Sequence, residues 1–474
     1  MLFRSGPYDT NSYDKAISTF EAFLKGWPAK PQTPEAIYQI ARNHVSANRP
    51  EPAIKAYQEL VNRFPDHDLS PYAALEIGTT YAGLNKKNNM IEAFRAFINK
   101  YPNHAKVGDV RYAVATELEA TNRLDEAVLA YRDIINNALA APQLTDDSRN
   151  AAISAVLRIT GITEKRNDPK TVVADLEQFV DKFANDDIAA RTLVGQIAGV
   201  YAKNRQSDDG LVKLEELAQK YAANNAIRQA AVISMTEIAV ADKKIDRANA
   251  LVARLLADPA KDKLPPSALL TIGKVSMRTD KFTQAKENYE RALEVAALPR
   301  DKTLAQAGLG QALLGLKQYD AAQSAFLTAL QDERNVASVV NETQLGLAKT
   351  YEAKGQTEDA MKLYRPIALG KGELSFEAAG RMGNIFAKSE SPDPAKMKEY
   401  KISALQFYGR LLFAPASPLS DEAAYRSGEC HEYLKNPAQA CSAFQSYLKR
   451  FPNGRFVDEA KAKIRVVCAP PKAE

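Results

Sequence analysis

Residues 70–104, SPYAALEIGTTYAGLNKKNNMIEAFRAFINKYPNH, decide the fold of this chain. Apolar and small side chains recur there at intervals of three and four residues, first around Gly78 and Tyr81 and then around Met90 and Phe94. This spacing predicts two amphipathic helices. Pro102 follows the second helix and ends it, because proline has no amide hydrogen and clashes with the preceding helical turn.

The same unit is repeated along the chain. Pro28, Pro65 and Pro102 lie 37 residues apart. One position of the second helix traces the register through the whole chain: Ala16, Ala53, Met90, Ala127, Val172, Gly210, Ala248, Ala285, Ala322, Ala360, Ala404 and Ala440. A repeat of this length predicts a stack of helix hairpins, each packed on its neighbours. We count about eleven full repeats after an initial half repeat.

These residues resemble the tetratricopeptide repeat pattern, Leu-Gly-x-x-Tyr on a first helix and Ala-x-x-x-Phe, then Pro, on a second. The unit quoted above matches it best, and the pair Leu309-Gly310 with Ala322 and Phe326 is another good match. The resemblance implies an all-α fold, an alpha-alpha superhelix. It also implies that small residues such as Gly78 let the two helices of a hairpin approach closely.

The register divides the chain into five segments. Residues 13–33 are predicted to form the second helix of a truncated first repeat, and 34–137 the N-terminal repeats. The central repeats occupy 150–387. Residues 402–467 hold the C-terminal repeats and a capping helix, and 468–474 a flexible tail. Short insertions are expected near 138–149 and 388–403.

Composition limits the classes of function. The chain has 474 residues, 45% of them hydrophobic and 26% charged, which is typical of folded protein. Its net charge of +5 is spread without a long like-charge block, so we expect no nucleic-acid partner. No run of 18 apolar residues is present, so no membrane span is predicted. A lipid anchor could lie in a native N-terminus that precedes this sequence.

No pattern of a catalytic or cofactor site is present. The chain lacks His-Glu-x-x-His, Gly-x-Ser-x-Gly and a Walker-type lysine loop. The four histidines, His44, His67, His104 and His431, all have structural interpretations within the repeats. We therefore predict a protein that is not an enzyme and binds no cofactor or metal.

Three cysteines lie near the C-terminus: Cys430, Cys441 and Cys468. In an antiparallel stack their positions share one end, so we expect one disulfide, Cys441–Cys468 or Cys430–Cys441. Reduced, buried thiols are an equal alternative. A zinc site with His431 is a weaker one, because paired C-x-x-C spacing is missing.

The resemblance also implies a binding surface, since first helices line the concave side of such a stack. Projecting its groove positions selects these residues: Tyr38, Arg42, Thr79, Tyr112, Thr116, Lys274, Lys349, Tyr425 and Glu429. Tyrosines mixed with hydrogen-bonding groups suit a protein or an extended peptide. The predicted function is a non-enzymatic interaction scaffold. The alternative is the recruitment or regulatory portion of a larger enzyme whose catalytic domain lies outside this chain.

The repeat ends carry a narrower resemblance. Phe64-Pro65-Asp66, Tyr101-Pro102-Asn103 and Phe451-Pro452-Asn453 are similar to connections in tetratricopeptide proteins of the bacterial envelope. The last block, Tyr447 to Lys463, is similar to the C-terminal repeat of the coordinator of the Tol-Pal system. This resemblance implies a periplasmic or outer-membrane-associated protein, with the cytoplasm as the alternative. A simpler interpretation is that an aromatic-Pro-Asn sequence stops a helix and starts a turn.

Overall fold

The computed structural model describes residues 10–165, 169–331, 337–412 and 419–468. Contacts divide the chain into two compact units, unit 1 (Met1–Leu217 with Tyr221–Ile227) and unit 2 (Ala218–Lys220 with Arg228–Glu474). The all-α prediction is confirmed, since the described residues hold helices and connections without a strand.

The helices are, in chain order, α1 Thr10–Gly26, α2 Thr33–Ser46, α3 Pro50–Arg63, α4 Ser70–Gly83, α5 Lys87–Lys100, α6 Val107–Ala120, α7 Leu124–Ala140, α8 Asp146–Thr163, α9 Pro169–Lys182, α10 Asp187–Lys203, α11 Ser207–Lys220, α12 Asn225–Ala241, α13 Ile245–Leu256, α14 Pro266–Arg278, α15 Phe282–Val295, α16 Pro299–Gly315, α17 Tyr319–Gln331, α18 Ala337–Ala353, α19 Thr357–Leu369, α20 Glu373–Lys388, α21 Pro394–Leu412, α22 Ser420–Tyr433, α23 Pro437–Arg450 and α24 Val457–Val467. The even-numbered helices α2 to α22 are the first helices of eleven hairpins, and the odd-numbered helices α3 to α23 are the second helices. Helix α1 has the register of a second helix, and α24 caps the C-terminal hairpin.

The two helices of a hairpin meet where glycine faces an aromatic ring. A Cβ atom placed on Gly78 of α4 would lie 2.1 Å from the Phe94 ring of α5. The Gly428 and Phe444 pair of the last hairpin repeats this contact, with a distance of 2.4 Å. Only a residue without a side chain lets the ring reach the backbone of the first helix. The ring is buried in return, and Phe444 is 0% exposed.

A residue in the left-handed backbone conformation closes the turn inside many hairpins. Asn48, Asn85 and Asn122 have φ angles of 56°, 55° and 59°, and they stand 37 residues apart. Asparagine tolerates this conformation better than most residues and commonly ends a helix in it. The amide of the next residue then bonds back into the first helix, as Arg49 N does to His44 O at 2.8 Å.

The connection between repeats is built from the aromatic-Pro sequence and a histidine. Helix α3 ends at Arg63, just before Phe64 and Pro65, and the Nδ1 atom of His67 accepts a hydrogen bond from Leu69 N at 3.2 Å. One repeat later, His104 Nδ1 accepts from Lys106 N at the same distance. These histidines therefore order the loop that starts the next first helix.

The two expected insertions differ in the structure. Helix α7 runs through Ala140, and α8 begins at Asp146, so most of the stretch near 138–149 is helical. The stretch near 388–403 is largely the start of α21, because Pro394 is its first residue, a position where proline costs no hydrogen bond. Residues 469–474 of the expected tail lie outside the described residues. No helix of the described ranges is both long and apolar enough to cross a membrane.

Candidate functional site

The predicted groove tyrosines of unit 1 lie half-buried on first helices. The Tyr38 ring of α2 packs against Tyr57 with centroids 5.6 Å apart, and Tyr112 of α6 packs against Tyr131 at 6.0 Å. Burial raises the pKa of Tyr38, and the carboxylate of Glu76 on α4 raises it further. Each tyrosine thus covers its own hairpin and keeps part of its surface accessible.

The other three predicted groove residues of unit 1 follow the same register. Arg42 and Thr79 are exposed, and Thr116 is half-buried. The Thr79 hydroxyl donates to Leu75 O at 3.1 Å, and the Thr116 hydroxyl donates to Tyr112 O at 3.0 Å. Both hydroxyls donate their hydrogen bond within their own helix. Each hydroxyl oxygen can still accept a hydrogen bond, for example from a peptide amide.

From α14 onward, each first helix of unit 2 contacts the next first helix directly. The contacting pairs are α14 with α16, α16 with α18, α18 with α20, and α20 with α22. Lys274 of α14 is exposed. It lies near Glu237 of α12, which accepts a hydrogen bond from Thr271 at 3.4 Å. Loss of surrounding water raises the pKa of Glu237, and the Lys274 ammonium opposes that shift.

Ion pairs join α18 to α20. Lys349 Nζ lies 3.0 Å from Glu377 Oε1, and Arg381 binds both Glu352 at 2.9 Å and Glu377 at 3.2 Å. Tyr364 donates its hydroxyl to Glu352 at 2.6 Å. Burial alone would raise the pKa of Glu377, but Lys349 and Arg381 outweigh it and lower the pKa. Lys349 therefore serves the contact between repeats as well as the surface.

A second set of polar contacts joins α20 to α22 at Glu422. Its carboxylate accepts from Arg426 at 2.8 Å and from Asn384 at 3.1 Å, and Lys388 lies 3.2 Å away. Burial would raise the pKa of Glu422, yet Arg426 and Lys388 lower it. We call these contacts and those of Glu377 the ion-pair ladder of unit 2.

Tyr425 is a correction to the predicted groove, because the structure buries it. It is 6% exposed and stacks on Phe456, with centroids 4.6 Å apart and planes inclined by 8°. Burial raises its pKa to about 12. The reason is that α24 stands where a further repeat would begin and covers the face that other repeats leave open. Glu429 is half-buried beside it and lies 3.3 Å from Arg426. Phe456, directly before the capping helix, is the sequence signal that projection of the register missed.

Of the two cysteine pairings left open, the structure has Cys441–Cys468, with Cα atoms 5.2 Å apart. Cys430 is a buried free thiol, and burial raises its pKa to about 11. The zinc alternative does not fit, because the disulfide occupies two of its four ligands. Within the described ranges, no group of three or more His, Cys, Asp or Glu residues could hold a metal ion. His431, the fourth proposed ligand, has its pKa lowered by burial.

Comparison with known families identifies the repeats. One tetratricopeptide repeat model matches residues 35–67, 72–104 and 422–454, and another matches 270–338 and 307–373. The chain therefore carries tetratricopeptide repeats, which are generally non-catalytic scaffolds for protein interactions. No curated protein sequence matched the chain.

Several solved structures have a similar fold. The structure of Naa15/Naa10 bound to HypK-THB matches over 97% of this chain and 80% of that chain, with 15% identity and a TM-score of 0.40. The APC/C hetero-tetramer Cut9-Hcn1 matches over 97% and 94%, with 12% identity and a TM-score of 0.43. Pseudomonas aeruginosa pilF matches over 50% and 97%, with 15% identity and a TM-score of 0.39.

Proposed function

We propose that this chain is an adaptor that binds an extended peptide or a partner helix along the first helices of unit 1. We call Tyr38, Arg42, Thr79, Tyr112 and Thr116 the unit 1 strip. The observation that carries the proposal is the contrast between the two units. Lys349 and Glu429 of unit 2 are tied into ion pairs, whereas the exposed guanidinium of Arg42 on the strip makes no ion pair among the described residues.

The composition of the unit 1 strip fits such a partner. Tyrosine supplies contact area at a low cost in conformational entropy, and threonine and arginine supply polar contacts that fix the register of a bound chain. The ion-pair ladder of unit 2 then has a different role, which is to hold consecutive repeats at a fixed spacing. We expect the ladder to preserve the scaffold and the strip to select the partner.

We further propose that the adaptor works in a bacterial envelope. Two observations support this location. The Phe-Pro-Asn type of connection resembles envelope tetratricopeptide proteins, and Cys441–Cys468 is a disulfide, a bond that persists in oxidising compartments such as the periplasm. Trapping of thiols in intact host cells, followed by mass spectrometry, tests it. Free Cys441 and Cys468 thiols would contradict an envelope location.

Photo-crosslinking tests the binding strip. A benzoyl-phenylalanine replaces Tyr38 or Thr79 on the strip, and Lys55, an exposed residue of the second helix α3, serves as the matched control. We expect one partner to be captured from positions 38 and 79 and not from position 55. Equal capture from all three positions would overturn the proposed strip.

A further inference from the structure

The third hairpin, α6 with α7, departs from the two preceding hairpins at two positions. Arg111 of α6 stands where the preceding repeats have Ala74 and Ile37, which are 8% and 1% exposed. Leu129 of α7 stands where they have the exposed residues Glu92 and Lys55. A charge has thus replaced a buried apolar residue, and an apolar residue has replaced a solvated charge.

Both departures line one groove. The groove lies between the second helices α5 and α7, with α6 between them, and encloses about 440 Å³. Ile98 and Val114 contribute apolar surface to it. Leu129 is 64% exposed there, so a large apolar side chain of this groove stands in water. The volume lies in the range of pockets that bind small ligands.

The charges of the groove are unevenly satisfied. Arg95 lies 3.2 Å from Glu126, which Arg123 also binds at 2.7 Å. Arg111 is half-buried and makes no hydrogen bond or ion pair within the ranges that the structure describes. Asp133 lines the groove as an exposed residue. A group that covers Arg111 removes its water, and an anion in that group would compensate the guanidinium charge.

We propose that this groove is a docking site for a segment of a partner protein that carries an apolar side chain next to a carboxylate. The apolar side chain packs on Leu129 and Ile98, and the carboxylate binds the Arg111 guanidinium, whose planar fork suits two parallel hydrogen bonds. We call this site the α5–α7 groove. It is lined by α5, α6 and α7, and none of its lining residues belongs to the unit 1 strip.

Another repeat supplies the matched control. Val212 of α11 is 61% exposed and occupies the register position of Leu129. The position that corresponds to Arg111 is Val194 there, which is 0% exposed. Val212 therefore presents exposed apolar surface without a cation, so a site that needs both features cannot form around it.

The experiment selects random 12-residue peptides, displayed on phage, against the full chain. Binding of the enriched peptides is then measured by fluorescence anisotropy. The variants Arg111→Ala and Leu129→Glu restore the residue types of the second repeat, which folds with them. Val212→Glu is the control, and Tyr38→Ala reports on the unit 1 strip.

We expect enriched sequences with leucine, isoleucine or phenylalanine within three residues of aspartate or glutamate. Arg111→Ala and Leu129→Glu should each weaken their binding about tenfold, while Val212→Glu and Tyr38→Ala leave it unchanged. Failure to enrich such a peptide overturns the proposal. Binding that Arg111→Ala leaves intact also overturns it, and so does a groove that is filled by a second copy of this chain. Loss through Tyr38→Ala alone would support the strip instead.

Discussion

Gly310 of α16 lies directly against the ring of Phe326 on α17, so that a Cβ atom at Gly310 would be 2.6 Å from the ring. Phe326 is 0% exposed. Interior glycine costs a helix about 1 kcal/mol relative to alanine. The chain accepts this cost because the bare backbone is the surface on which the ring is buried.

Gly310→Ala should therefore destabilise its hairpin although alanine favours helix. The ring must shift or the helices must separate, at a cost of roughly 1–3 kcal/mol. Gly195→Ala is the matched control, since nothing lies within 4 Å of a Cβ at that helical position, and it should stabilise α10 by about 0.5–1 kcal/mol. Hydrogen exchange of α16, α17 and α10 measures both effects. Two changes of the same sign would contradict this account of the contact.

The ion-pair ladder predicts a dependence of stability on pH. Glu422 and Glu377 have folded-state pKa values below the ordinary 4.5 of glutamic acid. Groups of this kind bind protons more readily in the unfolded state, so their stabilisation is complete above the unfolded pKa and is lost as the pH falls through the folded pKa. Thermal unfolding between pH 7 and pH 3 should show this loss.

The matched test of the ladder is Glu422→Gln, which keeps the shape of the side chain and cannot titrate. This variant should be less stable at pH 7, because Arg426 and Lys388 lose their anion, and its stability should fall less steeply between pH 5 and pH 3. A variant whose pH profile parallels that of the wild type would exclude Glu422 as a source of acid sensitivity.

Reduction of Cys441–Cys468 should loosen the last hairpin and its cap. The cysteines are 27 residues apart. Closure of a loop of this size lowers the conformational entropy of the unfolded chain and thereby stabilises the fold by roughly 3–4 kcal/mol. Cys468→Ser should increase hydrogen exchange in α23 and α24. The comparison is Cys430→Ala, which retains the disulfide. Hydrogen exchange in α24 of this variant should match that of the wild type and should rise only when reductant is added.

Tyr425 is expected to hold the capping helix. Tyr425→Ala removes the ring that stacks on Phe456 and should cost roughly 3–5 kcal/mol, the usual range for truncating a buried aromatic side chain. Tyr425→Phe keeps the ring and should cost far less. Near-ultraviolet circular dichroism and protease cleavage after α23 report the loss. If Tyr425→Ala leaves the cap intact, the disulfide alone fixes α24.

The register of the repeats could be predicted from the sequence because the hairpin is a local structure. Gly78, Tyr81 and Phe94 recur with equivalents in other units, and each copy supports the same interpretation. The stretch near 388–403 was expected as an insertion, and α21 begins within it at Pro394, because proline fits the first residue of a helix as well as a loop. The cysteine pairing stayed open because it depends on how α24 packs. The spacing of the cysteines in the sequence does not determine that packing.

The α5–α7 groove and the burial of Tyr425 were harder to predict because both depend on exceptions to the repeat. Projection onto Tyr425 failed where the repeats end and another helix covers the surface. Arg111 and Leu129 were visible as departures from the register of Ala74 and Glu92. Their significance needed the structure, since only packing shows that two positions on different helices line one groove.

The cysteine pair also sets how the chain would carry load. Tension applied at the C-terminus would pass from Cys468 straight to Cys441 through the sulfur atoms, bypassing the covalent loop between them. In a single-molecule stretching experiment, this loop would stay hidden and release about 9 nm of contour length only after reductant is added. The disulfide thus links the C-terminus covalently to the start of α23, and an applied force would enter the repeats at that point.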